Sequence, residues 1–147
     1  MGTNDAATGE DMGRMALAAP LYHIAGVTSM LNALYSGRVV VLLPQFEASA
    51  WIATVQKHAV THAFLVPTML GRVMEAENFS AEAFEGMEAI TYGAAPMPPS
   101  VIRRAIGEFP SNVSFAGAYG QTETTSTVAV LLVQDSIFPI DLSLIHI

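Results

Sequence analysis

The chain has 147 residues, a net charge of −7, 52% apolar residues and only 13% charged ones. That length suffices for one domain with a core. Ordinary soluble domains carry about 25% charge, so the shortage predicts either an excised interior of something larger or a wide apolar surface for a partner. Lys57 is the only lysine, beside five arginines, which disfavours a nucleic-acid-binding face built from clustered cations. The absence of cysteine excludes a disulfide framework, a thiolate metal site and a cysteine nucleophile, and it fits a reducing compartment. No apolar run approaches the roughly 18 residues of a membrane span. The polar, acidic residues 1–13 have the wrong chemistry for a signal peptide. A cytoplasmic setting is the expectation.

In chain order, residues 1–13 are small, polar and without expected structure. Arg14 to Leu21 is apolar and reads as a strand, followed by Pro20-Leu21-Tyr22-His23-Ile24-Ala25-Gly26. Val27, Met30, Leu31, Leu34 and Tyr35 recur at helical spacing, and Ser36-Gly37 stops that helix. Val39 to Leu43 is a continuous β-branched run, predicted to be a strand buried on both faces. Trp51, Ile52, Val55 and Ala59 mark a second helix, and Ala63 to Val66 a short buried strand.

Pro67 opens a third helix with Met69, Leu70, Val73 and Met74 inward. Asn78 to Gly86 reads as an acidic connection. Ala89 to Tyr92 is a strand, and Gly93-Ala94-Ala95-Pro96-Met97 follows it. A fourth helix from Ser100 carries Val101, Ile102, Ala105, Ile106 and Phe109 on one face and ends at Pro110. Val113 to Ala118 is a strand leading into Tyr119-Gly120-Gln121-Thr122-Glu123-Thr124-Thr125, and Thr127 to Val133 is a further apolar run.

Strand and helix alternate with short connections, which predicts an α/β fold with a mostly parallel sheet flanked by helices. Ligands in such sheets bind beyond the carboxyl ends of the strands. The loops at His23, at Gly93 to Pro96 and at Tyr119 to Glu123 all follow strands, so they can converge on one crevice. Tyr119 offers a π-face for a base, and Gly120 a turn that a Cβ would forbid. Thr122 offers a hydroxyl for a phosphate oxygen, and Glu123 a hard oxygen ligand of the kind Mg²⁺ prefers. The same stretch also suits a polar turn with no ligand. His58 and His62 have the spacing of a zinc pair, but they straddle a helix-to-strand change and lack a third ligand, so that site is rejected. No P-loop, Gly-x-Gly-x-x-Gly fingerprint or Gly-x-Ser-x-Gly elbow occurs.

Taken together, Pro20 to Gly26, Phe64-Leu65-Val66-Pro67-Thr68, Gly93 to Met97 and Tyr119 to Glu123 resemble, in order, the motifs of the AMP-forming acyl-CoA synthetases, the acyl-adenylate-forming enzymes. The resemblance covers residues 14–133 and implies a partial AMP-binding domain, an incomplete piece of a larger layered α/β domain. It implies a two-step ligase: a carboxylate attacks the α-phosphorus of MgATP to give an acyl-adenylate and pyrophosphate, and the thiol of coenzyme A then displaces AMP. By that resemblance Gly93, Ala94, Ala95 and Pro96 wrap one side of the adenine and Tyr119 the other, with Gly120 and Gln121 beside them. Thr122 contacts the α-phosphate, Glu123 binds Mg²⁺, and His23 sits where the acyl carboxylate enters.

Amino-acid-activating relatives place an aspartate near the His23 motif. No acid lies between Asp11 and Glu47, and burying an ammonium without a counter-charge is costly. A simple fatty or aromatic acid is therefore the expected substrate. The family's upstream phosphate loop, its ribose-binding aspartate and its carboxyl-terminal domain with a catalytic lysine have no counterpart here, and Lys57 matches no family lysine. The chain alone is expected to be inactive, missing the remainder of its own domain, with open sheet edges and apolar faces that favour association.

Residues 134–147 are expected to be a non-homologous tail, since 142–147 look like translated adapter sequence. Two rival readings stay open. One is a non-catalytic adenine-nucleotide-binding or interaction module, and the other is an adenylating relative with a different acceptor.

Overall fold

The computed structural model describes residues 12–124 and 126–133. The expected structureless segment 1–13 falls outside them up to residue 11, as do Thr125 and the expected tail 134–147. The described strands are β1 (Arg14–Leu17), β2 (Val39–Leu42), β3 (His62–Leu65), β4 (Ala89–Gly93), β5 (Ser114–Gln121) and β6 (Ser126–Val133). The helices are α1 (Ile24–Tyr35), α2 (Ala48–Lys57), α3 (Pro67–Glu75) and α4 (Pro99–Glu108). They form a six-stranded sheet in the order β2-β1-β3-β4-β5-β6. Neighbours from β1 to β5 are parallel, and β6 runs antiparallel to β5. This is the mostly parallel α/β sheet with flanking helices that the alternation predicts.

Local chemistry sets the helix ends. Pro67 and Pro99 open α3 and α4, where a missing N–H costs nothing. Glu47 caps α2: its carboxylate accepts from the Ser49 and Ala50 N–H groups at 3.0 and 2.6 Å. Those two bonds, that from Ala50 first, hold the Glu47 carboxyl below the usual carboxylate range. At the other end His58 is the C-cap, and Ala59 follows with φ +47°, a left-handed conformation that glycine normally supplies.

The two faces of the sheet differ. Strand side chains alternate, and Ala16, Ala63, Leu65, Ile90, Tyr92 and Phe115 share one core with Trp51 of α2, Leu70 of α3 and Ile102 of α4. The acidic connection 78–86 is more than a connection, because Ala81–Phe84 forms a 3₁₀ turn and buries Phe84 completely. Phe84 lies 4.7 Å from Phe109, ring to ring, and Phe109 meets Phe115 edge-on at 5.6 Å. Local polarity there yields to the gain from burying an aromatic ring.

The opposite face carries α1, which touches β1, β2 and β6. Only Gly26 and Ala33 of α1 are buried, while Leu31, Leu34 and Tyr35 are exposed. The expectation that β2 is buried on both faces is corrected. Val39 is 57% and Leu42 53% exposed, because β2 is the edge of the described sheet and only one strand pairs with it.

At the amino ends of the strands His62 touches Thr61 Oγ1 at 2.8 Å and lies 4.0 Å from Glu88. Burial first, then the charge of Arg38, pushes the His62 pKa below its ordinary 6.5, against the pull of Glu88. The unfolded chain therefore takes up this proton before the folded one does. Stability is full above about pH 6.5 and falls as pH drops from there towards the lowered folded value. Urea melts across this window measure that slope, and His62→Gln flattens it. A second outcome concerns Ala59: Ala59→Gly removes the left-handed penalty and raises the unfolding free energy by about 1 kcal/mol in the same assay.

Candidate site at the carboxyl edge of the sheet

Because β1 to β5 are parallel, their carboxyl ends lie along one edge, and so do the loops that follow them. The last register pair between β4 and β5 is Gly93↔Ala118. β4 stops there, whereas β5 continues for three residues to Gln121, an overhang of roughly 10 Å at about 3.3 Å per residue. The bend 94–96 and Tyr119 thus both begin one residue beyond the same register pair. The overhanging residues pair with β6 on their other side, with a bulge between Tyr119 and Gly120.

Close packing makes this junction possible. A Cβ on Gly93 would lie 2.5 Å from the carbonyl oxygen of Ala118, and one on Gly117 would meet the Tyr92 ring at 3.1 Å. Tyr92 is buried, and burial pushes its phenol pKa up. Ala94 has φ +65°, a conformation that costs an L-residue energy and is a recurring feature of functional turns.

Gly93 is buried, and Ala94, Ala95 and Pro96 are exposed beyond it. Tyr119 is 52% exposed, and Gly120, Gln121, Thr122 and Glu123 are exposed. The sequence placed this stretch in a loop after the strand. Instead, Tyr119 to Gln121 are strand, and Thr122–Thr124 is a 3₁₀ turn. Thr124 Oγ1 closes it by accepting from the Gln121 N–H at 3.3 Å and donating to the Gln121 carbonyl at 3.0 Å.

His23 lies on the same edge but not in the same junction. β3 separates β1 from β4, which sets the carboxyl ends of those two strands about two strand spacings, roughly 10 Å, apart. His23 is the N-cap of α1, and its Nδ1 accepts from the Ala25 N–H at 3.2 Å. A cleft of about 430 Å³ opens on the other side of that loop, between Leu17–Tyr22 and Leu42–Pro44. His58 caps α2 and His62 is in β3, so the two straddle the helix-to-strand change. No three metal-ligating side chains gather among the described residues.

Motif reading assigned no part to Tyr92, Gly117 or Gly26. A tyrosine directly opposite a glycine on the next strand is a packing signal, but it becomes readable only once the register is known.

Residues 2–142 match the family model for AMP-binding enzymes. The chain belongs to that family, the AMP-forming acyl-CoA synthetases. It is 29% identical over 125 residues to 2-succinylbenzoate–CoA ligase of Bacillus pumilus, covering 84% of this chain and 24% of that protein. With 4-coumarate–CoA ligase 3 of Oryza sativa it shares 31% identity over 114 residues, covering 77% and 20%. Among solved structures, O-succinylbenzoate coenzyme A synthetase from Bacillus subtilis, in complex with ATP and magnesium ion, is similar with a TM-score of 0.71. Its sequence identity is 27%, and the likeness covers 86% of this chain and 25% of that one. The chain therefore spans between 20% and 25% of the length of these relatives.

The Gly93–Ala118 contact leads to a measurable outcome. Gly93→Ala forces a methyl group against the Ala118 carbonyl and lowers the unfolding free energy by about 1–3 kcal/mol. Gly71→Ala in α3, where a Cβ meets nothing within 4 Å, is neutral or raises it by up to about 1 kcal/mol. Paired thermal melts of the two variants read the difference in sign.

Proposed function

We propose that this chain is part of an ATP-dependent ligase that activates a carboxylic acid as an acyl-adenylate and transfers it to coenzyme A, with residues 14–133 forming part of its AMP-binding domain. The observation that carries this reading is the shared start of the 94–96 bend and Tyr119 just beyond the Gly93↔Ala118 pair. The end of β4 there sets small residues next in register to an exposed ring on β5, an arrangement that suits a flat base.

In this reading Gly93, Ala94, Ala95 and Pro96 form one wall of the adenine slot, with Tyr119, Gly120 and Gln121 forming the other. Thr122 donates its hydroxyl to the α-phosphate. Glu123 supplies the one protein carboxylate for Mg²⁺, and the fit is sound: Mg²⁺ is commonly held by one or two carboxylates together with substrate phosphates and water. When bound, that ion offsets negative charge on the reacting phosphate. His23 meets the acyl carboxylate.

The stretch from residue 12 to residue 46 contains no acid, which supports a substrate without an ammonium group, fatty or aromatic. CoA ligation is favoured over another acceptor because the relatives named above are CoA ligases. A rival reading, an interaction module, draws on the apolar residues exposed on α1 and β6, such as Leu34, Val128 and Val130. Among the described residues no helix is long and apolar enough to cross a membrane.

Nucleotide titration of the chain tests the assignment. MgATP binds more tightly than ATP in a chelator, and Glu123→Gln removes that preference, with a loss of about tenfold, or about 1.4 kcal/mol. Equal affinities for wild type and variant under both conditions would overturn the role of Glu123. Acyl-dependent pyrophosphate release by the chain alone is expected to be nil, and clear turnover would refute that.

A further inference from the structure

Helix α1 begins where two backbone segments touch. Pro20 to His23 is a tight turn closed by the His23 N–H donating to the Pro20 carbonyl at 3.1 Å. One turn later Gly26, buried in the first turn of α1, packs on that same carbonyl. A Cβ at residue 26 would fall on the Pro20 oxygen, 2.8 Å from its carbon and 3.0 Å from the Ala19 oxygen. The Pro20 carbonyl is thereby pinched between the His23 N–H and the bare Cα of Gly26.

The His23 carbonyl in turn accepts from Gly26 and Val27 at 3.0 and 3.2 Å, so the backbone of residue 23 is fixed from both sides. Its ring is fixed as well, because Nδ1 accepts from the Ala25 N–H. A nitrogen that accepts carries no proton, so the neutral imidazole holds its proton on Nε2.

We propose that Gly26 is a positioning residue for His23: it lets α1 seat against the Pro20 carbonyl, which locks the ring as the Nε2–H tautomer and makes His23 a hydrogen-bond donor to an anionic oxygen, not a base. This deepens the function proposed above and rests on its placing of His23 at the acyl carboxylate. A donor at that position holds the carboxylate without removing a proton from anything, which is what activation of an already ionised acid requires.

Imidazole ¹⁵N spectra and amide exchange test the proposal on wild type, Gly26→Ala and the control Gly71→Ala. In wild type and in the control, Nδ1 of His23 is expected to give an unprotonated, pyridine-like signal, Nε2 a pyrrole-like one, and the Ala25 amide to be protected. In Gly26→Ala the two nitrogen signals move towards a common average and the Ala25 amide exchanges at least tenfold faster. A folded Gly26→Ala with both readouts unchanged overturns the proposal. So does a wild-type ring that is averaged or protonated on Nδ1, and that spectrum decides the matter if Gly26→Ala fails to fold. A non-hydrolysable acyl-adenylate analogue, added to wild type, separates the two levels. Movement of the Nε2 signal supports the donor role. A fixed tautomer that ignores the analogue sinks the placing of His23 at the substrate, and with it the donor role assigned to the ring.

Discussion

The arrangement at the carboxyl edge depends on how closely β4 and β5 approach one another. Their register puts Gly93 against Ala118 and Tyr92 against Gly117, and at both pairs a glycine is the residue that leaves room. Without that room the strands would part or shift, and a shift of one residue in a sheet turns every side chain to the opposite face. The bend at 94–96 and the overhang at 119–121 would then no longer start from one point. The meeting of that bend and that overhang is therefore a consequence of packing density in the sheet.

The same economy of space governs the start of α1. Gly26 brings the helix onto the Pro20 carbonyl, and the helix's first turn takes up one nitrogen of His23. Two glycines on two strand-to-helix junctions, with only β3 between their strands, thus do similar work, one for a bend and one for a ring. Between them lies the β3–α3 junction, where Val66 turns the chain and Pro67 begins the helix without any side-chain cap. The edge is built from backbone approach more than from side-chain bonds. This agrees with a region whose polar side chains, from Gln121 to Glu123, are exposed.

The two sides of the sheet are unequal, and the inequality matches the composition. One face buries a continuous aromatic and aliphatic core under α2, α3 and α4. The other has α1 with its larger apolar residues outward, beside exposed Val39 and Leu42 on β2. A chain with 52% apolar and 13% charged residues cannot hide that surplus in a single three-helix layer. The stretch that matches is only 20–24% of those relatives' length, so the same stretch in them has much more protein to pack against.

The amino-acid sequence by itself determined the alternation of strands and helices, the parallel sheet and the order of the motifs. These depend on local periodicity and on proline and glycine at element ends, which are properties of short windows. It also pointed to the two junctions, at Gly93 to Pro96 and at Tyr119 to Glu123. Tertiary structure alone decided that β2 is an edge strand and not a doubly buried one, because burial depends on which strands pair, and pairing joins residues far apart in the chain. It decided that Phe84 leaves an acidic connection for the core, since the aromatic rings that receive it come from distant elements. It decided that Tyr119 to Gln121 are strand, held by β6, and that Gly26 and Gly117 face close neighbours. A glycine carries no mark of what its missing side chain would strike, so only the folded neighbours reveal it.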